Sequence, residues 1–270
     1  MKIIRYAFIG AGNMGGAIIR ALCGKGGVPA ENVTLYDADP GKYKNFPGCK
    51  AAESAADAVR AAEYIFLAVK PQNFPQVLGE LSDAFGTDGF DGKIFISIAA
   101  GISVGFIKER LGSKTAVIRT MPNAPLMVGK GVTALCRSAE VAEKSFREVC
   151  RTFSLVGEIT VIDESRMNAI IAATSSSPAF VCRLIEAMEA EARAEGLDGE
   201  DLTKLICRAV SGTAEMIVST GMTPAELRRA VTSPKGTTEA ALRVFDERGL
   251  DETVAEAMRA CTARAEELGK

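Results

Sequence analysis

The chain has 270 residues, 47% of them apolar and 24% charged, with a formal net charge of −2. That length can bury one large or two moderate cores, and the balance is that of a soluble globular protein. Near-neutral charge without a basic run excludes a general nucleic-acid or membrane-surface role, no apolar run reaches the ~18 residues of a membrane span, and the complete lack of histidine removes Ser-His-Asp and Cys-His catalysis.

In chain order, strand-like runs are predicted at residues 3–9, 33–36, 64–69, 94–98, 116–120, 132–136 and 159–162. Helical stretches at 13–23, 103–110 and 139–153 separate several of them. Such alternation implies a mostly parallel, doubly wound α/β sheet of the Rossmann-like kind. From about Asp163 the strand signals vanish. Helical patterns then run over 164–195, 199–220, 224–230, 237–247 and 252–268, broken at 196–199, 221–224 and 233–236. The expected domains are therefore a dinucleotide-binding domain, 1–162, and an all-helical domain, 163–270. The helical half carries broad Ala/Met/Ile/Leu/Val faces, which predicts a partner subunit, with packing against the chain's own first domain as the alternative. The seven cysteines are widely spaced with no C-x-x-C pair, so they read as reduced thiols, not as a disulfide framework or a metal site. Met1 leads directly into the first apolar run, so no signal peptide is expected and the cytoplasm is the expected compartment.

The first apolar run is followed at once by Gly10-Ala11-Gly12-Asn13-Met14-Gly15, a G-x-G-x-x-G turn opening a helix. There Gly10 permits the tight turn, Gly12 lets backbone approach a pyrophosphate, and Gly15 lets helix and strand pack closely. The helix start adds unpaired N–H groups and a partial positive charge. Asp37 ends the second strand, about 20 residues past the glycine turn, where a carboxylate accepts from ribose hydroxyls and repels a 2′-phosphate. This leans towards NADH over NADPH; the alternative is that Asp37 only caps the turn 37–40. Later strands end in Ala68-Val69-Lys70-Pro71, in Ala99-Ala100-Gly101 and in Met121-Pro122-Asn123. Strand ends face the ligand crevice. Lys70 is thus placed for a phosphate, ribose or carboxylate, small residues near Ala99 leave room for a nicotinamide ring, and Asn123 offers a donor and an acceptor to a ring amide; the alternatives are a Lys70 that is only solvated and a segment 121–125 that is only a rigid connection. Near the C-terminus, Ser233-Pro234-Lys235-Gly236-Thr237-Thr238 opens a helix and forms an anion cradle, with simple N-capping by Thr237 as the alternative.

Taken together, 8–14, 68–72, 121–125, 128–135, 178–180 and 231–238 resemble the pyrroline-5-carboxylate reductases over essentially the whole chain. The resemblance implies NAD(P)H-dependent reduction of the cyclic imino acid 1-pyrroline-5-carboxylate to L-proline. It places Gly10, Ala11, Gly12, Asn13, Met14, Ala68, Val69, Lys70, Pro71 and Ala99 against the cofactor. Ser233, Gly236 and Thr237, with Ser176 and Glu164, would meet the substrate, and the Thr238 hydroxyl would meet the imine nitrogen. It also implies a homodimer of interlocked helical domains, and a larger ring such as a decamer. No metal is expected. A protonated cyclic imine is already a good hydride acceptor, which suits a chain without histidine.

Three departures from the family pattern stand out. The usual Ser-Gly-Ser-Gly-Pro-Ala is here Thr174-Ser175-Ser176-Ser177-Pro178-Ala179, Lys235 replaces the first glycine of Ser-Pro-Gly-Gly, and Ala230 stands where a polar residue is common. Two other readings are weighed. A β-hydroxyacid dehydrogenase would want a lysine early in the helical domain, and none lies between Lys144 and Lys204. A non-catalytic dinucleotide-binding regulatory paralogue is the third.

Overall fold

Strand β1 (Tyr6–Ile9) is buried on both faces: Tyr6 and Phe8 point into one apolar cluster, Ala7 and Ile9 into another. A strand sandwiched in this way belongs at the centre of a parallel sheet with helices on both sides. The computed structural model, which describes residues 4–269, shows that arrangement. Ile3, the first residue of the predicted opening strand, lies outside the described residues.

The remaining strands are β2 (Val33–Tyr36), β3 (Lys50–Ala51), β4 (Tyr64–Leu67), β5 (Ile94–Ser97), β6 (Ala116–Pro122), β7 (Gly131–Arg137) and β8 (Gly157–Val161). They form one sheet in the order β3-β2-β1-β4-β5-β6-β7-β8, parallel except for the β6–β7 pair. β1 pairs with β2 on one side (Tyr6↔Val33) and with β4 on the other (Ile9↔Leu67), so the strand order reverses at β1 and opens a crevice at its carboxyl end. Phe8 stacks on Phe66 with ring centroids 4.4 Å apart, fixing the register across that pair.

Helices α1 (Asn13–Cys23), α2 (Ala55–Ala61), α3 (Phe74–Phe85), α4 (Val104–Leu111) and α5 (Glu143–Ser154) cover the sheet. α1 and α5 bury Ile18, Ile19, Leu22, Phe146, Val149 and Phe153 on one face. α2, α3 and α4 bury Val59, Leu78, Leu81, Ile107 and Leu111 on the other. The helix expected from 139 begins only at Glu143, because Glu140 is held in the preceding turn by Lys108 of α4 (2.7 Å). That bond, with one from Ser138, holds the Glu140 carboxyl well below the usual carboxylate range, at about 2. A carboxyl depressed by folding stabilises the protein above its unfolded pKa and loses that contribution as pH falls towards the folded one. Glu140→Gln is therefore expected to cost about 0.5–1 kcal/mol at neutral pH and clearly less near pH 2, read from urea unfolding at both pH values.

The expected helix 164–195 is not continuous. A 3₁₀ turn (Glu164–Arg166), a single turn α6 (Met167–Ile170) and a π turn (Ile171–Ser175) precede α7 (Ser177–Ala194). α8 (Leu202–Thr220), α9 (Pro224–Ala230), α10 (Thr237–Glu247) and α11 (Leu250–Leu268) follow. The chain divides into two compact units: residues up to Ser176 together with those from Cys261 onward, and Ser177–Ala260. In the second unit only Leu202 and Leu227 are buried, while Phe180, Leu184, Met188, Leu205, Met216, Val244 and Phe245 are exposed. The seven cysteines are free thiols, no described helix is long and apolar enough to cross a membrane, and no cluster of metal-ligating side chains occurs among the described residues.

Candidate active site

The first unit gathers the glycine turn and the ends of four strands. Gly10 sits at φ +102°, and a Cβ there would lie 2.5 Å from the carbonyl oxygen of Ala68, so only glycine fits. Its N–H donates to the Tyr36 carbonyl (2.7 Å), tying the turn to β2. A Cβ on Gly15 would meet the Gly10 carbonyl at 2.7 Å, which is the close helix–turn approach expected of it. Gly12 differs from both: a Cβ there would meet nothing within 4 Å, and no side chain caps α1. The first-turn N–H groups of α1 thus open onto free space beside Gly12, with Asn13 exposed and Met14 half-buried. A pyrophosphate fits such a cradle, since unpaired N–H groups and the helix dipole favour an anion.

Around this turn, Ala68 and Val69 leave the end of β4 half-buried, and the Ala68 N–H donates to the Ile9 carbonyl (2.8 Å). Lys70 is exposed, and its ammonium has no partner among the described residues; Pro71 starts the short turn Pro71–Asn73 that leads into α3. Ala99 is buried just past β5, and its N–H donates to Ser97 Oγ (3.3 Å). Asp37 follows β2 and faces the glycine turn. Its Oδ2 accepts from the Ala11 N–H (2.7 Å), its Oδ1 from the Asp39 N–H (2.9 Å), and both oxygens accept from Lys42 Nζ (2.9 and 3.0 Å). Burial alone would raise this carboxyl, but these bonds together hold it below the usual range.

Three other predicted positions find partners inside the protein. Asn123 is buried, with Nδ2 donating to the Thr174 carbonyl (3.0 Å) and Oδ1 accepting from the Val132 N–H (2.8 Å). The amide clamps the loop between β6 and β7 to the π turn, and its second N–H and second lone pair have no partner among the described residues. Glu164 Oε1 accepts from the Val104 N–H at the start of α4 (2.7 Å) and lies 3.5 Å from Nη1 of Arg119. Arg119 is buried in β6 and also donates to Asn168 Oδ1 (2.6 Å). Glu164 therefore braces the fold with one oxygen and keeps the other free among the described residues. Ser176 Oγ lies 3.1 Å from Cys261 Sγ.

Neither Ser175 nor Ser177 falls at positive φ, so the glycine-to-serine changes cost no backbone strain. The cost at Ser175 is of another kind, because its hydroxyl is buried without a partner. A π turn is itself often a mark of a functional segment. Ser175→Ala should raise stability by about 1 kcal/mol, visible as a higher melting temperature, because the orphaned hydroxyl is removed.

In the second unit, Ser233 to Gly236 form a turn closed by the Gly236 N–H on the Ser233 carbonyl (3.0 Å). Gly236, not Thr237, is the N-cap of α10, and no side chain caps it. Thr237 and Thr238 open the helix with exposed hydroxyls that have no partner among the described residues. Lys235 is the one non-glycine residue at positive φ (61°) among those described, and its N–H donates to Glu239 Oε2 (2.8 Å). Strain absent from the serine triplet is thus stored here, at about 1 kcal/mol, beside the threonines.

The sequence shows Lys42 as the next cation after Asp37 but not its pairing with that carboxylate, and Arg119 was missed. A cation five residues after Asp37, and an arginine inside the apolar run 116–120, were the available signals.

A doubly wound sheet whose first strand runs into an uncapped glycine turn is a Rossmann-type dinucleotide-binding fold. Residues 164–268 match the model described as pyrroline-5-carboxylate reductase dimerisation, and residues 5–101 match that of the coenzyme F420-dependent NADP oxidoreductases. The pyrroline-5-carboxylate reductase of Vibrio alginolyticus is 38% identical over 277 residues, covering 100% of this chain and 99% of its own. That of Escherichia coli K12 is 36% identical, covering 98% of each. The crystal structure of Plasmodium falciparum pyrroline carboxylate reductase with NADP bound superposes over the full length of both chains, with a TM-score of 0.90 at 26% identity. The chain belongs to the pyrroline-5-carboxylate reductase family.

Proposed function

We propose that this chain reduces 1-pyrroline-5-carboxylate to L-proline, in proline biosynthesis. The observation that carries the reading is the open, uncapped start of α1 at Gly12, at the point where the strand order reverses. A nicotinamide dinucleotide, when bound, supplies the hydride.

Gly10 to Met14 hold the pyrophosphate through backbone N–H groups. Asp37 meets the adenosine ribose, with a lean to NADH from its charge. Ala68, Val69, Lys70, Pro71, Ala99 and Asn123 line the rest of the cofactor. Ser233, Gly236 and Thr237 fix the substrate carboxylate, with Ser176 and the free oxygen of Glu164 as further substrate contacts. The Thr238 hydroxyl hydrogen-bonds the ring nitrogen and orients the imine carbon. No strong acid is needed, because the imine protonates readily and positioning supplies the rate. The exposed apolar faces of the helical unit support a homodimer, with 163–270 as its dimerisation domain after a dinucleotide-binding domain 1–162, and a decamer-like ring as the larger assembly. Seven free thiols support a cytoplasmic setting.

Purified protein given NADH or NADPH with pyrroline-5-carboxylate tests this directly, by loss of reduced-cofactor absorbance. Oxidation with the imine and none with 3-oxo acids is the expected result. Cofactor binding without turnover would favour the regulatory alternative, and turnover of a 3-oxo acid the dehydrogenase.

A further inference from the structure

Asp37 is not a bare carboxylate waiting for a ribose. Its side chain is 9% exposed and already accepts from two backbone N–H groups and from Lys42. Lys42 is delivered by a short, well-fixed 3₁₀ turn, Pro40–Asn45, which begins with proline and is capped by Asp39 Oδ1 on the Gly41 N–H (2.9 Å). Tyr43, on the same turn, bonds the backbone of Asp37 on both sides: its hydroxyl accepts from the Asp37 N–H (3.0 Å) and donates to the Asp37 carbonyl (3.1 Å). The lysine side chain is 37% exposed, so its ammonium touches the carboxylate on one side and solvent on the other.

Two charges of opposite sign in contact present almost no net charge to an approaching group, and the repulsion that an isolated carboxylate would exert on a 2′-phosphate is cancelled. The outward side of the ammonium then offers a charge-assisted donor to such a phosphate. We propose that Lys42 is the residue that admits NADPH to this chain: held on Asp37, it offsets the repulsion of the carboxylate and presents the solvent side of its ammonium to the 2′-phosphate. The inference rests on the dinucleotide reading of the glycine turn and deepens it.

Calorimetric titration of the substrate-free protein with NADPH and with NADH tests it without turnover. Lys42→Gln should raise the NADPH dissociation constant about 10- to 100-fold, the scale of one charge-assisted bond, while NADH changes by less than about 3-fold. Lys42→Arg should keep most of the NADPH affinity, and adenosine 2′-monophosphate should lose its ability to compete once Lys42 is neutral. NADPH affinity unchanged in Lys42→Gln overturns the proposal, as does an equal loss for both cofactors, which would mark Lys42 as purely structural. A wild-type protein that binds neither cofactor would overturn the dinucleotide reading as well, whereas one that binds NADPH without help from Lys42 sinks this inference alone.

Discussion

Thr238→Ala is expected to lower turnover of pyrroline-5-carboxylate about 10- to 1000-fold, the scale of losing one positioned hydrogen-bond donor. The side chain is exposed and unbonded in the first turn of α10, so its removal takes nothing from the fold. The melting temperature should therefore stay within about a degree of wild type, as for surface changes away from any special feature. The loss should fall mainly on kcat if the hydroxyl acts on the imine as hydride arrives, and mainly on KM if it only holds the substrate. Thr238→Ser should retain much of the rate. An alanine variant of wild-type activity removes Thr238 from the chemistry and leaves the cradle to Gly236 and its neighbours.

The second large effect separates two glycines of one motif. Gly12→Ala places a methyl group in open space at φ −72°, a conformation any residue adopts, so the protein should fold and melt like wild type. The methyl group nevertheless occupies the room that a pyrophosphate needs, and affinity for either cofactor should fall at least about 10-fold. Gly10→Ala should do the reverse. Its Cβ would meet the Ala68 carbonyl oxygen at 2.5 Å, in a backbone conformation that alanine resists, and stability should drop by several kcal/mol, whether or not cofactor is present. Calorimetric titration and thermal melts on the two variants give opposite patterns if the glycines divide the work in this way. Normal cofactor affinity in Gly12→Ala would move the phosphate site elsewhere.

Legibility in the sequence followed the strength of local signals. α1 and β2 were readable residue for residue, because a glycine turn and a short apolar run mark their ends. β3 was not: it has two residues, both exposed, and exists only because β2 offers it an edge. The long helical pattern after 163 hid the π turn, since apolar spacing at Met167, Ile170 and Ile171 fits either winding. At the site, backbone roles were legible and side-chain roles less so. The jobs of Gly10 and Gly15 follow from chain geometry, whereas the partners of Asn123 lie 9 and 51 residues away and nothing local announces them. Asp37 was found by its position, but its partner Lys42 depends on how the turn at Pro40 winds. The strain at Lys235 likewise needed a dihedral angle, not a residue type.

A helical unit that buries only Leu202 and Leu227 cannot be held by its own interior. Its ordering must be linked by mass action to whatever covers Phe180, Leu184, Met188 and Phe245. Dilution then acts on this protein as a mild denaturant. The midpoint of heat unfolding becomes a property of the solution as well as of the molecule, climbing as the protein is concentrated. Mixed populations of damaged and intact chains would also share their fate, since one defective copy withdraws the shelter its neighbour relies on.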